Sequence, residues 1–141
     1  MLAIEPALDI LLEAGMARLR EKSVRQTEYL LFLAKKWLLP LGFQIGSPQD
    51  SRQRGSHISL RHREAYRISR AMIELPPSTA HPGSHPATRV IPDFRAPDNI
   101  RLGIAPLYTS YHDIQRALDT MRWIVEEQIY RGYSDERQAV T

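Results

Sequence analysis

Apolar residues in this chain recur at two spacings, every third or fourth position in some stretches and every second position in others. Ala7, Leu8, Leu11 and Leu12 make a short stripe of the first kind within residues 2–14, closed by Gly15, which predicts a short helix. A longer stripe follows through Met16, Leu19, Thr27, Leu30, Leu31, Ala34 and Leu38, with Arg18, Arg20, Glu21, Lys22, Arg25 and Glu28 on the other sides. That is an amphipathic helix offering one face to a core or a partner. Pro40 and Gly42 end it, and the stretch 42–48 has room for one short strand before a turn. His57 to Arg61 alternates at period two, so a strand is expected there with Ile58 and Leu60 inward.

Helical spacing returns from Glu64 to Leu75 through Ala65, Ile68, Met72 and Leu75, until Pro76 and Pro77 stop it. Residues 76–89 read as an exposed proline-rich loop, punctuated by Pro82, Gly83 and Pro86. Val90 and Ile91 suggest a short strand, and Ile100, Leu102 and Ile104 share one face of another, with Arg101 on the opposite face. Ser110 and Asp113 resemble a capping box at the start of a last helix, which follows Ile114, Leu118, Met121, Val125 and Ile129. The expected fold is α+β: three or four short strands covered on one face by helices. Residues 1–131 make one domain, and 132–141 a frayed polar tail.

Composition narrows the classes without choosing among them. The 141 residues are 43% hydrophobic and 25% charged, an ordinary globular balance. Cysteine is absent, which excludes disulfides, thiolate zinc sites and cysteine nucleophiles. No run of 18 apolar residues exists to span a membrane, and the opening MLAIEPALDI lacks the basic region of a secretory signal. A cytoplasmic location is expected. The net charge is +3, and Arg52, Arg54, Arg61, Arg63, Arg67 and Arg70 are opposed within their stretch only by Glu64. Such a cluster suits a nucleic-acid-binding surface, or simply solvated arginines on a helix face.

Candidate chemistry is sparse. The chain has no GxGxxG, phosphate loop, HExxH or GxSxG pattern, and no catalytic set assembles from its residues. His81 and His85 are four apart but flanked by prolines, which argues against a metal site. His57 falls on the polar face of a strand, and His112 in the first turn of the last helix. Asp93, Asp98 and Asp113 stand near turns or caps, where aspartate satisfies local backbone donors. Arg101 is the exception. It sits mid-strand between apolar neighbours, beside Gly103, where a guanidinium could grip a carboxylate with two parallel hydrogen bonds. Pairing with Asp93 or Asp98 accounts for it equally well.

The stretch from Val90 to Tyr108, VIPDFRAPDNIRLGIAPLY, resembles the C-terminal signature of the kynureninases, pyridoxal phosphate enzymes of tryptophan breakdown. Ala14 to Ser23 and Arg54 to Leu60 (RGSHISL) resemble two further pieces of that family, in order, so the likeness runs from about Ala3 to Tyr130. It departs at Leu75 to Arg89, where this chain carries a longer proline-rich link.

The resemblance implies the small C-terminal domain of a fold-type-I enzyme of the aspartate aminotransferase kind. Such enzymes are cytoplasmic homodimers that hydrolyse L-kynurenine to anthranilate and L-alanine. It implies that Arg101 binds the substrate carboxylate, with Asp93, Arg95, Pro106 and Tyr108 as scaffold; Arg54 and His57 belong to a family motif but receive no role. It also implies a partner, the large pyridoxal phosphate domain, which these residues do not supply: no segment resembles the family's lysine motif, and the three lysines precede Pro40. No cofactor is expected on this chain alone, and no activity. The alternatives are a non-enzymatic binding or oligomerisation module derived from that domain, or the nucleic-acid-binding domain suggested by charge.

Overall fold

The computed structural model describes residues 5–75 and 88–136. Helix α1 (Glu5–Ala14) and helix α2 (Met16–Trp37) meet at Gly15, whose φ of 78° lies in the left-handed region, where a side chain would be strained. A short 3-10 turn, Leu39–Leu41, leads to strand β1 (Gln44–Ile45), and a second, Ser51–Gln53, precedes strand β2 (His57–Arg61). Helix α3 (Ala65–Ile73), strands β3 (Asp93–Arg95) and β4 (Asn99–Gly103), and helix α4 (Tyr111–Glu126) complete the order. The four strands form one antiparallel sheet in the order β1-β2-β4-β3.

The alternation read from the sequence fixes which side of this sheet is dry. Ile58 faces Leu102 and Leu60 faces Ile100 across the central pair, all of them buried. Leu30, Leu31 and Ala34 of α2, Ile68 and Met72 of α3, and Leu118, Met121 and Ile124 of α4 join them in one core. The fold is therefore α+β with helices on one face, as the pattern predicts. Ser59 and Arg101 occupy the other face, half-buried.

Several expectations need correcting. Val90 and Ile91 are not a strand: Val90 N–H donates to the Met72 carbonyl at 3.1 Å, and Ile91 is 81% exposed. Pro92 has no N–H to give a ladder, so pairing starts at Asp93. The last helix stops at Glu126; Gln128 turns left-handed (φ 57°) and Ile129 falls in a 3-10 turn, Ile129–Gly132, that still packs on the core. Tyr133, assigned to the tail, is docked: its carbonyl accepts from Arg67 Nε at 2.7 Å and its hydroxyl donates to the Glu74 carbonyl at 3.3 Å. At the start of α2, Met16 is exposed and Leu19 only half-buried, while Ser23 and Gln26 are buried instead. Polar pairing explains that: Ser23 Oγ meets Ser56 Oγ at 2.8 Å, and Gln26 Nε2 donates to the Thr109 carbonyl at 2.6 Å. Most of the proline-rich loop, with His81 and His85, and the end of the tail lie outside the described residues.

Candidate functional site

The half-buried face of the sheet carries the polar cluster. Arg101 stands mid-way along β4, opposite Ser59 on β2 and Asp93 on β3. Its side chain keeps 34% of its surface, enough to reach solvent while its stem is held by the sheet. Arg101 Nη1 lies 3.5 Å from Asp93 Oδ2, and Nη2 lies 3.3 Å from His57 Nε2. Asp93 Oδ2 also accepts from Arg95 Nε at 3.0 Å. Of the two acids that spacing left open, Asp93 is thus the neighbour, while Asp98 pairs with Arg61 at 3.0 Å. The guanidinium has five N–H donors and no acceptor; one hydrogen bond and one long ion pair leave donors for a further carboxylate.

Space adjoins the His57 end of this cluster. A cleft of about 420 Å³ is lined by Ser56, His57, Gly103, Ile104, Ala105 and Tyr108. A side chain at Gly103 would meet nothing within 4 Å, so the opening expected there is real. A second recess, about 590 Å³ and mostly apolar, shares Gly103, Ile104 and Tyr108 with the first and runs toward Ile91 and Ile114. Tyr108 is 83% exposed at this border, with its N–H held by the Ala105 carbonyl at 3.2 Å. A charged clamp whose His57 lines a cleft can orient a small carboxylate ligand; among the described residues no complete set of nucleophile, base and oxyanion donors joins it.

The other singled-out residues have structural roles. Asp113 completes the capping box, accepting from Ser110 N–H at 2.8 Å while Ser110 Oγ accepts from Asp113 N–H at 3.1 Å. Those bonds hold its carboxyl below the usual range. His112 stands in the first turn of α4. Arg54, unassigned by sequence, is buried: it donates to the Gln49 carbonyl and, at 3.3 Å, to Thr27 Oγ1, tying the loop before β2 to α2. Five of the six clustered arginines have intrachain partners: Arg52 with Asp50, Arg54 as above, Arg61 with Asp98, Arg67 with Glu64 and Arg70 with Glu74. The cluster is therefore not a row of free cations. Among the described residues no group of three or more metal-ligating side chains occurs, and no helix is long and apolar enough to cross a membrane.

Sequence reasoning missed the part played by His57, because its contact with Arg101 depends on strand register, which alternation alone does not give. The residues also do not fit a pyridoxal phosphate pocket. Lys22, Lys35 and Lys36 all stand on α2, which packs against the core face of the sheet rather than the Arg101 face, and Lys35 Nζ donates to Gln49 Oε1 at 2.8 Å.

The chain is similar to known proteins over most of its length. The model of the family described as "Kynureninase C-terminal domain" matches residues 19–76 and 83–121, a span that includes Arg54, His57, Arg101 and Tyr108 and breaks within the proline-rich segment. A kynureninase from Geobacillus thermodenitrificans is 41% identical over 134 residues, which are 95% of this chain and 28% of that protein. Kynureninases from Bacillus anthracis and Shouchella clausii are 37% and 34% identical over the same shares. The chain spans little more than a quarter of the length of these curated relatives.

Proposed function

The chain belongs to the kynureninase C-terminal domain family, and from that premise we propose that it binds the carboxylate of L-kynurenine within a kynureninase, through Arg101. The reaction is hydrolysis of the substrate side chain to anthranilate and L-alanine. Pyridoxal phosphate, held by residues outside this chain, supplies the electron sink for it. This chain's part is to bind and orient. The observation that carries the reading is the position of Arg101: on a central strand, on the open face, partly exposed, with Nη2 at 3.3 Å from His57, which itself lines a cleft. A rigid strand holds such a donor fork more closely than a loop would, and orienting a reactant is itself a large part of catalysis.

Partners follow from the same reading: a large cofactor-binding domain, and a second copy of the whole enzyme in a cytoplasmic homodimer. The arginine cluster lends little to a nucleic-acid role, since most of its charges are met within the chain.

The test is complementation. The chain is mixed with the separately expressed remainder of the Geobacillus thermodenitrificans kynureninase and pyridoxal phosphate, and anthranilate fluorescence is followed after L-kynurenine is added. Activity is expected in the mixture alone, with neither piece active by itself. Arg101→Ala should lower kcat/KM roughly ten- to hundredfold, the loss of a charge-assisted contact of about 1.5–3 kcal/mol. Anthranilate release by this chain alone, or full activity with Arg101→Ala, would overturn the reading. A silent mixture of two folded pieces would favour a binding module that has kept the fold without the chemistry.

A further inference from the structure

We propose that His57 is the positioning residue of the Arg101 site, a neutral imidazole whose Nε2 accepts from Arg101 Nη2 and so sets the plane of the guanidinium. The functional consequence rests on the carboxylate reading above; the geometry does not.

Arginine donates and never accepts. The 3.3 Å contact between Arg101 Nη2 and His57 Nε2 is therefore a hydrogen bond in only one arrangement, with a lone pair on Nε2 and the ring proton on Nδ1. The sheet builds that contact by pairing large residues with small ones. His57 lies opposite Gly103, and Arg101 lies opposite Ser59. No side chain at 103 competes for the space above the strand pair, and Ser59 is too short to block it. The two long side chains are diagonal neighbours on one face, within each other's reach. On the other flank Asp93, itself held by Arg95 Nε at 3.0 Å, faces Nη1. The two terminal nitrogens are thus engaged from two different strands, β2 and β3, and a planar group gripped at both ends cannot rotate freely about its stem. His57 also lines the cleft beside Gly103 and Tyr108, so the residue that orients the clamp forms part of the wall of the space a ligand would enter.

The experiment has one arm that reads the geometry and one that reads its consequence. In the first, the 15N-labelled chain is studied by NMR at pH 8. Long-range proton–nitrogen correlation should show His57 with its proton on Nδ1. The guanidinium rotation of Arg101 should be slowed, faster in His57→Ala, and slowed again in His57→Gln, whose amide oxygen can accept in the same place. In the second arm the complemented enzyme is assayed. His57→Ala should raise KM for L-kynurenine about three- to tenfold with kcat little changed, the effect of a guanidinium that is kept but no longer held in its plane, and His57→Gln should restore it. A proton on Nε2 in the unmodified chain overturns the proposal, as does an Arg101 rotation rate that is the same in all three proteins. So does a KM unmoved by His57→Ala in an enzyme whose KM responds to Arg101→Ala. If complementation gives no activity, the carboxylate reading fails while the NMR arm still decides the role of His57.

Discussion

His62 shows how one side chain ties sequence to stability. It is buried just after β2, its ring centroid 4.6 Å from that of Phe43, and its Nδ1 accepts from Glu64 N–H at 3.0 Å. Burial pushes its pKa below the ordinary imidazole value. Above about pH 6.5 neither the folded nor the unfolded chain protonates it; below that the unfolded chain takes the proton first, so stability falls as pH drops through the lower folded-state value. Urea unfolding at pH 8 and pH 5 should therefore show a smaller acid loss for His62→Gln than for the unmodified chain; equal losses would mean that His62 is not the group responsible. Arg101 illustrates what a residue pattern can and cannot convey. Its place on the face away from the core was legible from alternation through Ile100, Leu102 and Ile104. Its acidic neighbour was not, because the choice between Asp93 and Asp98 turns on where β3 begins. With a strand at Val90–Ile91, Asp93 is a loop residue; with the strand at Asp93–Arg95, it stands directly opposite Arg101.

At the scale of elements, the periodic signals held where burial supports them and failed where other bonds compete. The α4 stripe ran correctly through Leu118 and Met121, yet Ile129 keeps its core contact from a 3-10 turn rather than from the helix. Periodicity records which face is wet, and a turn can deliver the same face as a helix does. The start of α4 was the clearest boundary, since a capping box satisfies two otherwise orphaned donors with two named side chains. Ser110→Ala should destabilise the protein by about 1 kcal/mol, measured by urea unfolding. The loss should shrink in strong acid, because protonating Asp113 through its lowered pKa already removes part of the box. An unchanged midpoint would mean that the cap contributes nothing to the packed protein. Strand β3 was missed for a converse reason: at three residues it gives too little alternation to read, and its position follows from Val90 being tied to the end of α3.

At the scale of the molecule, α1 is the part that the described core does not use. None of its residues is buried; Leu8, Ile10, Leu11 and Leu12 are exposed, as is Met16 at the start of α2. The sequence correctly marked an amphipathic stripe, but a stripe says only that a helix has an apolar side, not that this chain covers it. Contiguous apolar surface of this kind favours association. Light scattering of the chain at high concentration should show species larger than a monomer, reduced in a Leu8→Lys, Leu12→Glu double variant. A clean monomer in both would show that the stripe is inert.

The joint at Gly15 gives that stripe a mechanical character. Both helices keep their hydrogen bonds up to the glycine, with Gly15 N–H to the Leu11 carbonyl at 2.9 Å and Leu19 N–H to the Gly15 carbonyl at 3.1 Å. The change of direction is therefore confined to one residue, and α1 projects from it as a lever arm about 15 Å long. A 10° difference at that joint would displace the far end by roughly 3 Å. Arg18 Nη2 donates to the Glu13 carbonyl at 2.6 Å across the joint, so the angle of this apolar surface is set by the Gly15 torsions and by one side-chain bond that spans them.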